Sequence, residues 1–154
     1  YASLYRALYG VSALGLRYFN VYGPRQDAAS PYAGVISRFS ANLAAGLPLV
    51  VFGDGQQTRD FVFVGDVARA NVAALESRYQ GVINVGTGKS VSLLALIDAL
   101  GRCAGCDPQV RFEAPVPGDI RDSAMRPERM RDVLGFVPAT GLEDGLAHLL
   151  AYPG

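Results

Sequence analysis

Short apolar runs alternate along the chain with segments whose apolar residues recur at helical spacing. Tyr1, Leu4, Tyr5, Leu8 and Tyr9 share one side of a helix that Gly10 is placed to close. A buried strand is predicted within Val11 to Phe19, and Gly23-Pro24 stops the extended run. After a loop at 26–31, the spacing predicts a helix over 32–45, with Val35, Ile36, Phe39 and Leu43 inward and Gly46 beyond its end. Strands are predicted at 49–52 and 60–64, on either side of the turn Gly53-Asp54-Gly55. Asp66 is placed to cap a helix through Val67, Ala70, Ala74 and Leu75. A strand at 82–85 runs into Gly86-Thr87-Gly88, and Ser92 is placed to cap a helix over 93–103. One more strand at 109–112, a rigid loop at 115–119 and helices at 126–134 and 142–150 complete the pattern.

Strands alternating with helices predict an α/β fold with a largely parallel sheet. Parallel strands need both faces covered, and few strands here could join one sheet, so the chain reads as part of a larger structure. In open α/β sheets, ligands meet the chain just beyond the carboxyl ends of strands. That places Asn20, Tyr22 and Arg25, at the end of the run from Leu16 to Gln26, where a small molecule would bind.

Composition narrows the function classes. The 154 residues suffice for a domain with a core, half of them are hydrophobic, and 14 basic residues balance 14 acidic ones. That balance argues against a nucleic-acid or anionic-membrane partner, both of which require a basic face. No apolar run reaches transmembrane length, no secretory signal opens the chain, and two cysteines do not make a disulfide framework. A soluble, cytoplasmic protein is the expectation. Lys89 is the only lysine, so positive charge is carried almost entirely by arginine, whose planar fork suits phosphates.

Several local patterns fail as chemistry. Gly86-Thr87-Gly88-Lys89-Ser90 resembles a phosphate loop, but Ile83 stands where that loop needs its first glycine. Cys103-Ala104-Gly105-Cys106 has redox spacing but sits at a helix end, where no helix dipole lowers a thiol pKa. His148, the only histidine, is read as a packing residue among Leu146, Leu149 and Leu150, so neither a zinc site nor a serine–histidine–acid set can be built. Arg59 could reach a phosphate, Asp119 could accept from a ribose diol, and Phe52 could stack on a base. Each also has an ordinary structural reading.

Four blocks carry a resemblance to a known family: LRYFNVYGPRQ at 16–26, SPYAGVISRF at 30–39, VVFGDGQQTRDFVFVGDVARA at 50–70 and NVGTGKSVSLLALIDAL at 84–100, with a looser PGDIRDSAM at 117–125. The chain resembles the C-terminal half of the extended short-chain dehydrogenase/reductases, the NAD-dependent nucleotide-sugar epimerases and dehydratases. Within them it looks most like the UDP-glucose and UDP-N-acetylglucosamine 4-epimerases. The resemblance implies a Rossmann-type fold with a smaller α/β substrate-binding domain. Residues 1–25 and 60–90 would end the dinucleotide-binding sheet, and 26–59 with 91–154 would bind the nucleotide-sugar.

The resemblance also implies residue roles. Asn20 would hold the diphosphate-sugar region, Val35, Val51 and Phe52 would line a uracil pocket, Arg59 would grip the diphosphate and Asp119 the ribose. Tyr18 would border the nicotinamide of NAD. Ser123, being small, would leave room for an N-acetyl group at C2 of the sugar. Many relatives place an arginine three residues before the Asp119 position; here it is Val116, and Arg121 or Arg111 could substitute. The glycine-rich NAD fingerprint and the catalytic Tyr-x-x-x-Lys have no match, because Val85 stands four residues before the single lysine. The chain is therefore expected to start just after that pair, to hold no catalytic or metal-binding residue, and to be inactive alone. In the intact enzyme, C4 of the sugar would be oxidised to a 4-keto intermediate and reduced from the other face. Full-length relatives commonly form homodimers, and the isolated chain is expected to be marginally stable or to self-associate. A dehydratase or decarboxylase of the same family, or a non-catalytic nucleotide-binding module, are the alternatives.

Overall fold

The computed structural model describes residues 1–30 and 32–152. Pro31, which ends the predicted loop at 26–31, lies outside them, as do residues 153 and 154. The chain opens with helix α1 (Ala2–Tyr9), closed by Gly10 in the left-handed conformation at φ 66°. Strands β1 (Leu14–Tyr18) and β2 (Asn20–Tyr22) follow, then helix α2 (Val35–Ala44). Strands β3 (Leu49–Phe52), β4 (Thr58–Arg59) and β5 (Phe61–Phe63) lead to helix α3 (Val64–Glu76). Strands β6 (Gly81–Val85) and β7 (Val91–Ser92) precede helix α4 (Leu93–Ala104). Strands β8 (Val110–Glu113) and β9 (Asp122–Ser123) precede helices α5 (Glu128–Leu134) and α6 (Leu142–Ala151).

Three parallel pairs form the framework: β1 with β6, β2 with β5, and β3 with β8. A small sheet in the order β7-β4-β9 joins them, antiparallel between β4 and β7 and parallel between β4 and β9. The sequence reading has no counterpart for this sheet. The prediction that β1 is buried is corrected. Its residues are half-buried or exposed, because β1 pairs only with β6 among the described residues.

Two apolar clusters hold these elements. The larger joins α2, β3, α4 and α6 through Ile36, Phe39, Leu49, Leu96, Leu100 and Leu146. The smaller surrounds Ile83 and Val85 of β6 with Met125 and Met130. Burial of this kind contributes about 25 cal/mol per Å² of apolar surface.

Caps and brackets behave unevenly. Ser92 accepts from the Ala95 amide and caps α4 as predicted, and Gly105 closes that helix at φ 68°. Asp66 does not cap α3. Its fully buried carboxylate accepts from the Ala139 and Thr140 amides, at 2.9 and 3.1 Å, and from Arg69. It is a tertiary bracket between α3 and the segment before α6. Tyr22 is buried against α6, where its hydroxyl donates to the Leu142 carbonyl at 3.3 Å. Burial, reinforced by the Asp66 and Asp144 carboxylates, raises its phenol well above the ordinary tyrosine range. Gly145 makes this contact possible, since a Cβ there would collide with the Tyr22 hydroxyl.

Candidate functional site

A cavity of about 660 Å³ opens between α2, β3 and the segment 116–119. This lies within the usual range for small-molecule sites. Five sequence-predicted residues line it: Asn20, Val35, Phe52, Arg59 and Asp119. They come from β2, α2, β3, β4 and the segment 116–119, so the fold, not sequence proximity, brings them together.

Arg59 is held firmly. One Nη donates to the carbonyls of Thr58 and Ile120, at 2.8 and 2.6 Å, and the other to Asp119 Oδ1 at 2.6 Å. Its guanidinium is mostly buried while Asp119 is about half exposed. Asn20 is aligned by its neighbour in space. Its backbone amide and its side-chain Nδ2 both donate to the Asp60 carbonyl, at 3.0 and 3.3 Å. Gln57, also lining the cavity, donates to the Phe52 carbonyl at 2.8 Å and fixes the end of β3.

Val51 is misplaced by the sequence reading. Its side chain is fully buried in the larger core, and Val50 lines the cavity instead. Successive strand side chains face opposite ways, so the pocket face of β3 carries Val50 and Phe52. Tyr18 and Ser123 also lie outside the cavity lining. The Tyr18 hydroxyl donates to Asn71 at 2.9 Å, and Ser123 pairs with Arg59 across β4 and β9. Of the ligand-facing positions in the opening strand, Tyr22 is in the core. Arg25 is exposed in the turn with φ 69°, an unusual conformation outside glycine.

Neither proposed substitute for the arginine missing at Val116 lines the cavity. Arg121 forms a bidentate pair with Asp54, at 2.8 and 3.0 Å, which lowers the Asp54 pKa. Arg111 pairs with Glu113 at 3.1 Å. Val116 itself lines the cavity, as do Arg38 and Asn42 from α2, which the sequence reading did not single out. Helical spacing puts 35, 38, 39 and 42 on neighbouring faces, and that was the available signal.

Asp60 was also missed. It is fully buried, and its carboxylate accepts from four groups: Thr87 N at 2.8 Å, Thr87 Oγ1 at 2.6 Å, Gly88 N at 2.8 Å and Met125 N at 3.2 Å. The amides of the Gly86-Thr87-Gly88 turn thus serve a side chain, which agrees with rejecting that turn as a phosphate loop. Gly86 is required there, since a Cβ would sit 2.8 Å from Asp60 Oδ2.

The cysteine pair lies at the C-terminal end of α4, Cys103 half-buried and Cys106 exposed. Burial raises the Cys103 thiol pKa, opposite to what a reactive thiol needs. The described residues contain no group of three or more metal-ligating side chains. His148 is exposed, not packed among leucines, with its ring centroid 5.9 Å from that of Phe63. No helix among the described residues is long and apolar enough to cross a membrane.

Known proteins resemble this chain in both sequence and fold. The chain is 40% identical over 153 residues to the UDP-glucose 4-epimerase of Mycolicibacterium smegmatis, covering 99% of this chain and 49% of that protein. Its structure matches a UDP-N-acetylglucosamine 4-epimerase from Methanobrevibacter ruminantium, solved with UDP-N-acetylmuramic acid. The TM-score is 0.93 at 38% identity, over 97% of this chain and 48% of the other. It also matches the UDP-glucose 4-epimerase of Thermotoga maritima, solved with UDP-glucose, with a TM-score of 0.91 at 37% identity over 97% of this chain and 48% of that one. The chain spans about half the length of the curated relatives it matches. The model of the NAD dependent epimerase/dehydratase family matches residues 1–86, and the α/β fold corresponds to the C-terminal part of its members: this chain belongs to that family.

Proposed function

We propose that this chain is the nucleotide-sugar-binding part of an NAD-dependent UDP-hexose 4-epimerase. The observation that supports this reading is the convergence of Asn20, Val35, Phe52, Arg59 and Asp119 on one cavity. An apolar slot between Val35, Val50 and Phe52 suits a pyrimidine, and Arg59 suits a phosphate. Asp119 suits a ribose diol, and Asn20 suits the junction of diphosphate and sugar. A sugar that must turn within its site needs a firmly anchored diphosphate, which gives the rigid Arg59 its purpose.

When bound, NAD would take and return the hydride at C4. In this reading Tyr18 borders the nicotinamide, and the greater part of the NAD site is built by other residues. The sequence lacks the glycine-rich fingerprint, and the Thr87 and Gly88 amides are occupied by Asp60. In this proposal most of the NAD site, the catalytic tyrosine and the lysine belong to residues outside these 154. This chain binds and orients, and alone it does not turn over. Residues 1–25 and 60–90 complete the dinucleotide sheet, and the rest forms the substrate domain. The working protein is a cytoplasmic homodimer.

Calorimetric titration with UDP, using dTDP and GDP as controls, tests the reading. Saturable, UDP-preferring binding that falls about tenfold or more with Arg59→Ala is expected, the loss of one charged hydrogen-bonding group. Equal binding of all three nucleotides, or none, overturns it. A 4-keto-deoxy or decarboxylated product from the intact protein would instead favour a dehydratase or decarboxylase.

A further inference from the structure

The charged groups lining the cavity are Arg38, Arg59 and Asp119. Arg59 and Asp119 are paired with each other, and Arg59 also serves two backbone carbonyls. Their charges cancel, so the net positive charge of the cavity wall resides on Arg38. Arg38 is exposed in the middle of α2 and has no carboxylate within ion-pair distance among the described residues. The facing segment contributes Val116, which offers no charge. A nucleotide-sugar diphosphate brings two negative charges, and one guanidinium already bound to a carboxylate cannot neutralise both. A cation on a concave wall also raises the local concentration of anions.

We propose that Arg38 is the second phosphate contact of this site, reaching the ligand's diphosphate from α2 while Arg59 holds it from β4. The inference rests on the nucleotide-sugar reading. It adds a residue that the motif matches did not indicate, and it gives the exposed face of α2 a specific task.

The test is calorimetry on the full-length gene product, wild type and with Arg38→Ala or Arg38→Lys, using UDP, UMP and uridine at low and moderate salt. Alanine is well tolerated in an exposed helix interior, and unchanged melting temperatures verify the fold. The expected result is a loss of about tenfold in UDP affinity for Arg38→Ala, one charged contact. Uridine binding should be unchanged, Arg38→Lys should fall between, and the salt dependence of UDP binding should be shallower. Equal losses for UDP and uridine, or no loss for either, overturn the role of Arg38 while leaving the UDP site standing. Failure of the wild-type protein to bind UDP at all overturns both.

Discussion

Arg59 donates to Asp119 at 2.6 Å, so the two charged groups proposed to hold different parts of one ligand are in direct contact with each other. The contact closes the segment carrying Asp119 onto β4, and the Arg59 bond to the Ile120 carbonyl reinforces it. In the proposed reading a phosphate takes the guanidinium and the carboxylate holds the ribose. The pair is partly solvent-exposed, and exposed pairs are worth about 0.2–1 kcal/mol, so a diphosphate can displace it. Asp119→Ala should therefore leave UDP bound but reduce the preference for UDP over 2′,3′-dideoxy-UDP by about fivefold to tenfold, one hydrogen-bonding acceptor. Competition titrations measure this ratio, and an unchanged ratio would reduce Asp119 to a loop brace.

Asp60 makes a sharper prediction. Both carboxylate oxygens accept only from donors, and both Oδ2 partners are backbone amides, Gly88 N and Met125 N. Asp60→Asn must turn an amide NH₂ toward one pair of those donors. Leaving buried donors unpaired costs about 1–3 kcal/mol each. A loss of about 3 kcal/mol is expected, which lowers the melting temperature by roughly 10 °C for a chain of this size. Thr87→Val removes only the hydroxyl donor and should cost about 1 kcal/mol. Thermal denaturation of the two variants side by side checks the ranking. A milder effect for Asp60→Asn than for Thr87→Val would remove Asp60 as the hub.

These two residues mark the boundary of what the sequence shows. Helices with apolar spacing and a capping signal were legible: Gly10 closes α1 and Ser92 caps α4. Residues singled out from the motifs also meet in space, since Arg59 and Asp119 line one cavity. Features set by contacts across the chain were not. Leu49-Val50-Val51-Phe52 is apolar throughout, so no alternation says which valine faces the pocket. Strands β4, β7 and β9 are two residues each, too short for any period. Asp60 and Asp66 look like a strand start and a helix cap. Their partners lie 27 and 73 residues away, at Thr87 and Ala139.

Ser123 sits beside the site without lining it. It is half-buried and pairs in register with Arg59. In the proposed reading its small side chain leaves space at C2 of the sugar. Ser123→Tyr in the intact protein should lower the rate with UDP-N-acetylhexosamine at least tenfold while changing the UDP-glucose rate less than threefold, a difference of at least about 0.7 kcal/mol in transition-state energy. Parallel kinetics on both sugars test this. An unaffected N-acetylhexosamine rate would end the idea of a gate at this position.

The surface of α1 carries the last prediction. Leu4, Tyr5, Leu8 and Tyr9 are each more than half exposed, although their spacing is that of a buried helix face. Nearby Val11 is exposed as well. Contiguous apolar surface on a single chain favours association, and the β1–β6 pair adds strand edges with no partner among the described residues. Sedimentation velocity on the 154-residue chain should show concentration-dependent species larger than a monomer. Replacing Leu4 and Leu8 by glutamate should shift the distribution toward monomer without lowering the melting temperature, because neither side chain is buried here. A wild-type chain that stays monomeric at every concentration would mean that this exposed face does not drive assembly.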